Sequence, residues 1–370
     1  MDERTNDNTL SSDAKKRLFT EHLLTWFAAH DRPLPWKGER DPYLIWLSEI
    51  ILQQTRVEQG RPYYERFRDR YPHVTDLAAA PEDEVMKMWE GLGYYSRARN
   101  LHATAQRIAT EFGGQFPTTY DGIRDLKGVG DYTAAAIASF AYGLPHAVVD
   151  GNVYRVLARV FGIATPTDTT AGKRAFAQLA HELLPPHAAA IFNQAIMDFG
   201  ATWCTPAAPK CTTCPMRTFC TARHTDRVGE LPVKSKKQKR RDRYFHYLVV
   251  RRGAHTWVRR RGPGDVWQNL YEFPLIEAGS ALERSELTAR AGFQQLFPHP
   301  PDMVGQTAPV RQLLSHQRIF ARFFEIRLPP DTDFNTEGYH AVSWTELERL
   351  AFPKIITTYL RSRSIPLELF

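Results

Sequence analysis

Between residues 14 and 199 apolar side chains recur every three to four positions, the spacing of helices that bury one face. Leu18, Leu23, Trp26 and Phe27, joined by His22, form the first such stripe. Similar stripes predict helices over 101–112, 132–142, 153–161, 173–184 and 188–199, all short and punctuated by glycine or proline. Beyond residue 243 the pattern changes. Runs of β-formers occupy 244–250, 255–259 and 319–328, and helical spacing returns over 344–350 and 355–362. No fixed-period repeat is present. The pattern predicts an all-α domain over 14–225, a linker over 226–243 and an α+β domain over 244–370.

Composition agrees with two folded domains. A chain of 370 residues exceeds what one core usually fills, and 43% hydrophobic with 24% charged residues excludes wholesale disorder. The polar opening Met1 to Asp13, and the lack of any long apolar run, argue against secretion and membrane spanning. A net charge of +7 is compatible with a polyanionic partner without establishing one. Most of the local excess lies in Lys234 to Arg243, KSKKQKRRDR, where seven of ten residues are basic. That run reads either as a solvated connector or as a strap that contacts DNA.

The four cysteines, Cys204, Cys211, Cys214 and Cys220, all fall within residues 204–220. Structural disulfides would scatter, so the cluster predicts a metal site in a reducing compartment. Its C-x6-C-x2-C-x5-C spacing can surround a tetrahedral zinc ion or an iron-sulfur cluster and does not choose between them. Placement after a helical domain points to a structural staple.

Three further stretches carry candidate chemistry. In Leu126 to Thr133, Gly128 and Gly130 allow a tight hairpin whose amides, with the following helix N-terminus, could receive a phosphate; an ordinary turn is the plain alternative. A helix over 43–57 is almost wholly apolar around Glu49, which shares a stripe with Ile45 and Leu52. Its carboxyl is then either desolvated, with a raised pKa that suits proton donation near neutrality, or turned outward and paired. Asp150 follows the apolar run 147–149. It could cap the next helix, or it could face Glu49 as an ionised stabiliser of positive charge.

These signals, with Trp46 to Thr55 (WLSEIILQQT), Gly91 to Leu101 (GLGYYSRARNL) and Val149 to Val153 (VDGNV), resemble the helix-hairpin-helix DNA glycosylases, and specifically the MutY-type adenine DNA glycosylases, over nearly the whole chain. The resemblance implies a 4Fe-4S cluster on the four cysteines, and Glu49, Asp150, Tyr132 and Asn152 as catalytic residues. Glu49 would protonate N7 of adenine, and Asp150, oriented by Asn152 and accompanied by Tyr132, would stabilise or trap the sugar cation. Bifunctional relatives resembling endonuclease III carry a lysine where this chain has Tyr132, and a phenol cannot form an imine. The implied enzyme is therefore monofunctional, without efficient lyase activity.

By the same resemblance Trp36, Lys37 and Gln194 line the adenine pocket, Lys37 standing where many relatives have arginine. Leu92 and Tyr94 would sit at the opened base step with Tyr94 intercalated. Gln54 and Thr55 would contact bases around the gap, and Gly128 and Gly130 the adenine-strand backbone. The last third resembles the Nudix-like domain with which such proteins read 8-oxoguanine, through VWQNLYEFP at 266–274 and a Leu314-Ser315-His316 stretch in which leucine replaces the usual phenylalanine. No R-E-x-x-E-E helix is present to hold magnesium, which argues against a Nudix hydrolase. The expectation is a monomer that acts in base excision repair on duplex DNA with an A:8-oxoguanine or A:G mispair, intracellular and nucleoid-associated. The rivals are a thymine glycosylase for T:G mispairs and a catalytically silent DNA-binding protein.

Overall fold

A computed structural model describes residues 11–30, 32–235, 240–330, 332 and 334–363. It divides into two units, one formed by Met1–Ala79 with Asn100–Lys236 and the other by Ala80–Arg99 with Lys237–Phe370. Among the described residues no helix is long and apolar enough to cross a membrane.

The first unit is helical. Helices Ser12–Ala28, Asp131–Tyr142, Gly151–Phe161, Thr170–Leu183 and Ala189–Thr202 bury Phe19, Leu23, Trp26, Val156, Leu157, Phe176, Phe192 and Phe199 in one core. Local chemistry fixes their ends. Asp41 and Asp150 accept from the backbone N–H of Tyr43 and Val153 as N-caps, while Gly143 and Gly162 close helices in the left-handed conformation. The cysteine loop is part of this core, for Met216, Phe219 and Ala222 are buried in it.

Two boundaries differ from expectation. The helix around Glu49 ends at Leu52, because Gln54 adopts a positive φ of 56° and the chain turns sharply. The predicted 101–112 helix starts earlier and runs Ser96–Glu111.

The second unit is built on an eight-stranded sheet: β1 (Arg241–Arg252), β2 (His255–Arg260), β3 (Tyr271–Glu272), β4 (Leu275–Ala278), β5 (Asp302–Gln306), β6 (Val310–Leu313), β7 (Gln317–Arg327) and β8 (His340–Ser343). The order is β3-β2-β1-β7-β5, with β4 on β1, β6 on β7 and β8 on β2. β1 and β7 run parallel from Arg241 opposite Gln317 to Arg251 opposite Arg327, and the other pairs are antiparallel. Both faces of the central strands are covered. Leu248, Val250, Phe324 and Ile326 pack with Leu287, Phe293 and Phe297, and on the reverse face Phe323 stacks on Tyr359 of the Lys354–Ser362 helix. This explains why these strands read as continuous apolar runs.

Arg241 to Arg243, placed in the linker by composition, open β1 instead. Arg243 is nearly buried between Asp265 and Glu277, so it is a structural cation. Residues 236–239 of the basic run lie outside the described residues.

The segment 80–99, read from sequence with the helical domain, clusters with the sheet. Glu82 accepts from Arg260 and Asn269, Tyr271 donates to Asp83, Arg99 donates to the Gln268 carbonyl, and Lys87 donates to that of Leu350. Nothing local in the segment encodes such partners.

Arg261 and Glu272 form a buried ion pair in this unit, with Arg259 as a second and more exposed partner of Glu272. Arg261→Met should lower the stability of the sheet unit by about 3 kcal/mol, the cost of leaving a buried carboxylate short of its main partner. Urea denaturation of the full chain, followed by tryptophan fluorescence, measures it. An unchanged midpoint would show that Arg259 alone neutralises Glu272.

Candidate active site

Glu49 lies in the last turn of the Pro42–Leu52 helix, and Ser48, Ile50 and Ile51 beside it are buried. The helix must bury nearly its whole circumference, so its one carboxylate is carried into an apolar setting. There Glu49 opens onto a cavity of about 660 Å³ in the first unit. The same cavity is lined by Asp150 and Asn152, by Tyr132 at the start of the Asp131–Tyr142 helix, and by Trp36, Lys37, Gln54, Thr55 and Gln194. Nine residues singled out from sequence thus converge on one hollow.

The two carboxyls have unlike environments. Burial pushes the Glu49 carboxyl up to about 7, the Tyr132 hydroxyl opposes this by donating to it, and the charge of Asp150 pushes it further up. Burial also raises Asp150, but here several groups resist: the Val153 N–H and the Asn152 side-chain amide donate to its two oxygens at 2.8 Å each, and the Arg155 cation acts in the same sense. Asp150 is therefore a helix cap and a cavity carboxylate together, and the alternatives left by the sequence coexist. Burial with a single opposing donor therefore favours the protonated form at Glu49, whereas the donors around Asp150 favour its ionised form. Tyr132 stays protonated, its pKa raised by burial and by both carboxylates, and its hydroxyl lies 3.5 Å from Met197 Sδ.

Asn152 is held in turn. Arg155 donates to Asn152 Oδ1 at 2.7 Å, to the Gly200 carbonyl at 2.7 Å and to the Cys204 carbonyl at 2.7 Å. Helices Gly151–Phe161 and Ala189–Thr202 approach so closely that a Cβ on Gly200 would stand 2.6 Å from Asn152 Cβ, so residue 200 must be glycine for Asn152 to keep its place. A chain of hydrogen bonds therefore runs from Asp150 through Asn152 and Arg155 to the first cysteine of the loop.

Sequence reasoning missed a second charged group in the cavity. Asp198 is buried, with Arg32 Nη1 at 2.9 Å from Oδ1 and Lys37 Nζ at 3.6 Å from Oδ2, while Lys37 also sits 4.8 Å over the Phe27 ring. All four residues line the cavity. The available signal was an aspartate on the apolar stripe of the Ala189–Thr202 helix, close to Gln194. Trp36 packs edge-on against Tyr64 at 5.4 Å and forms part of the wall.

The remaining candidates lie elsewhere. Gly128, at φ 82°, approaches Asn100 too closely for a Cβ, whereas Gly130 has open space beside it and forms the N-cap of the Asp131–Tyr142 helix. Val129 between them is buried, which anchors the hairpin and leaves both glycines exposed. In the second unit Gly91, Gly93 and Tyr94 all have positive φ, and Tyr94 is 50% exposed whereas Leu92 is buried. The turn therefore presents the tyrosine. Arg97 supports it from beneath, its guanidinium 5.7 Å from the Tyr94 ring and 5.1 Å from that of Trp89. Ser315 and His316 form the turn between β6 and β7, with Ser315 Oγ 3.0 Å from His316 Nδ1 and Leu314 N–H donating to the Gln317 carbonyl.

Cys204, Cys211, Cys214 and Cys220 are all free and half-buried. Burial raises the thiols of Cys204, Cys214 and Cys220, and each of them also feels the charge of neighbouring cysteines. Arg159 Nη1 lies 3.5 Å from Cys204 Sγ, and Cys220 Sγ lies 3.5 Å from the Arg159 carbonyl. Among the described residues no three His, Cys, Asp or Glu side chains are gathered tightly enough for a single metal ion.

Comparison with known proteins agrees with this architecture. Residues 47–184 match the model of the HhH-GPD superfamily of base excision DNA repair proteins, and residues 246–362 match a NUDIX domain. The chain is 32% identical over 263 residues to the adenine DNA glycosylase of Buchnera aphidicola from Acyrthosiphon pisum, covering 71% of this chain and 75% of that protein. The mouse adenine DNA glycosylase is 43% identical over 223 residues, 58% of this chain and 43% of its own length. A solved thermostable thymine-DNA glycosylase is 33% identical with a TM-score of 0.54, over 58% of this chain and 99% of its own. An endonuclease III–DNA complex shares the fold at 22% identity and a TM-score of 0.52, over 59% and 99%. The chain belongs to the adenine DNA glycosylase family of helix-hairpin-helix base excision repair enzymes.

Proposed function

We propose that the chain hydrolyses the N-glycosidic bond of adenine mispaired with 8-oxoguanine or guanine in duplex DNA, without efficient strand cleavage. The observation that carries this is the pair Glu49 and Asp150, which line one cavity of about 660 Å³, roomy enough for an extruded nucleobase, in unlike environments. Adenine cannot be attacked within the stack, so it must enter the cavity. The exposed Tyr94 suits a wedge that fills the vacated step, with Leu92 buried two residues before it in the same turn. Gln54 and Thr55, which line the cavity with Gln54 exposed, suit contacts with neighbouring bases, and the exposed glycines Gly128 and Gly130 of the hairpin suit a backbone phosphate.

In the cavity Trp36 supplies a wall, and Lys37, Gln194 and the Arg32–Asp198 pair supply polar groups for the edge of the base. Glu49, protonated near neutrality, delivers its proton to N7 as the bond to the sugar breaks, so that adenine leaves uncharged. Positive charge then develops on the sugar. Asp150, held ionised by Asn152 and the Val153 N–H, stabilises or traps this cation before water adds, and Tyr132 completes the polar wall. Tyr132 has no amine with which to form an imine, which supports the monofunctional reading. In the sheet unit Ser315, with His316 and Leu314 beside it, is placed on an exposed turn suited to reading the base opposite adenine.

The four free, half-buried cysteines in one loop suit a 4Fe-4S cluster, as in the family this chain belongs to. Such a cluster would pin the loop whose Cys204 carbonyl holds Arg155.

Duplexes that each carry one defined mispair test the function. Alkali-labile breaks should form with A:8-oxoguanine and A:G, with few breaks before alkali. Breakage confined to T:G, or complete before alkali, would overturn the reading. Glu49→Gln should slow adenine release about 10³-fold, the size of a general-acid contribution, with binding retained. In the native protein the rate should fall as pH rises through about 7, as the Glu49 proton is lost.

The same variant carries a stability signature. A carboxyl raised in the folded state has a contribution that is fully present below its unfolded pKa and lost as pH rises through its folded value, here between about 4.5 and 7. Glu49→Gln should therefore raise the melting temperature more at pH 8.5 than at pH 5.5; an equal change at both would mean that Glu49 is solvated, and the opposite order that its carboxylate is held by a cation. Purified protein should be brown and contain iron and sulfide in equal amounts; stoichiometric zinc instead would refute the cluster.

A further inference from the structure

The Gly91–Tyr94 turn stands on segment 80–99, and fastenings to the rest of the sheet unit bracket it on both sides. Before the turn, Glu82 accepts from Arg260 Nη2 at 2.9 Å and from Asn269 Nδ2 at 2.7 Å. Lys87 Nζ donates to the Leu350 carbonyl at 2.9 Å, and Glu90 Oε1 accepts from the Phe352 N–H at 3.3 Å. After the turn, the Tyr95 hydroxyl donates to the Phe352 carbonyl at 3.4 Å, and Arg99 Nη1 donates to the Gln268 carbonyl at 2.8 Å. The same Tyr95 hydroxyl accepts from the Gly91 N–H at 3.1 Å, so one oxygen of a buried side chain ties the turn itself to residue 352.

The partners are fixed in their turn. Phe352 is buried and stacks on Phe273 at 5.9 Å, and the Ala351 carbonyl accepts from the Tyr271 N–H of β3. Segment 80–99 has little rigidity of its own. Its Glu82–Met88 helix is seven residues long, and Gly91, Gly93 and Tyr94 all have positive φ. Within the segment, Trp89 Nε1 and Arg97 Nη2 both donate to the Gly93 carbonyl, at 3.1 and 3.2 Å. A side chain that fills a vacated base step bears the cost of unstacking, and a support that yields would let it slide out.

We infer that the sheet unit mounts the wedge: the Tyr95 hydroxyl, through Phe352, and Glu82, through Arg260 and Asn269, are positioning groups that hold Tyr94 in place while a base is out of the stack. Mounting presupposes the reading of Tyr94 as the wedge. The sheet unit then serves extrusion as well as recognition. Because a wedge acts on the stack and not on base identity, mounting acts alike opposite 8-oxoguanine and guanine.

The test uses the full-length chain in a Glu49→Gln background, so that base release is slow, with duplexes in which 2-aminopurine replaces adenine opposite 8-oxoguanine or guanine. Its fluorescence rises as it leaves the stack. Tyr95→Phe, which removes one oxygen and keeps the ring, and Glu82→Ala should each lower the extrusion equilibrium about 5-fold, by the same factor opposite both bases. With Tyr94→Ala already present, neither should cause further loss, since both act through that ring. An equal loss with and without Tyr94 would overturn mounting, because the two groups would then act by another route. Full extrusion in both variants, with Tyr94→Ala impaired, would also overturn it and keep the wedge. Full extrusion in Tyr94→Ala would refute the wedge and mounting with it. Asn269→Gly, which tolerates the φ of 66° and removes the amide donor to Glu82, should reproduce the loss even if Glu82→Ala folds poorly, and urea midpoints identify any variant that is unfolded.

Discussion

Two hydrogen bonds to Asp150, from the Val153 N–H and from the Asn152 amide, create the difference on which the site depends. Burial raises both carboxyls in the cavity, and a cavity with two protonated acids could donate but not stabilise a cation. Donors at one carboxyl favour its ionised form, and their scarcity at the other leaves the proton there. Among the described residues the Tyr132 hydroxyl alone works against Glu49 protonation, and burial outweighs it.

That asymmetry is anchored well away from the cavity. Arg155 is shared between Asn152, the Gly200 carbonyl and the Cys204 carbonyl, so the orientation of Asp150 depends on how two helices and the cysteine loop pack. Gly200 permits the close approach. The loop, with Met216 and Phe219 buried in the core, thus joins the Asp150 network through the Cys204 carbonyl. This is a physical reason for a reaction with no electron transfer to be housed beside a cluster of thiols.

The sheet unit follows a different economy. Many of its cations are committed to structure, with Arg243, Arg261 and Arg318 each paired to acids, while the candidate residues read from sequence lie on turns: the Gly91–Tyr94 segment with its positive φ values and the Ser315–His316 hairpin. Rigid strands with short exposed turns fix where a side chain is presented while leaving its chemistry free to contact a partner.

Periodicity alone determined the helical half, the sheet-rich half and the change between them, because each element buries a face whose spacing is written locally. Residue chemistry likewise marked Glu49 as an acid on an apolar helix, Asp150 as a cap or a cavity group, and four cysteines as one centre. The rest needed the tertiary structure. The helix around Glu49 stops at Leu52, and Gln54 turns into the left-handed region just beyond, although the local pattern would have continued the helix. Segment 80–99 joins the sheet through Arg260, Asn269 and Gln268, partners more than 160 residues away that no window can see. Asp198 enters the cavity by pairing with Arg32 and Lys37, and Arg155 links the cap to the loop, because desolvated charges choose partners in space and not in sequence.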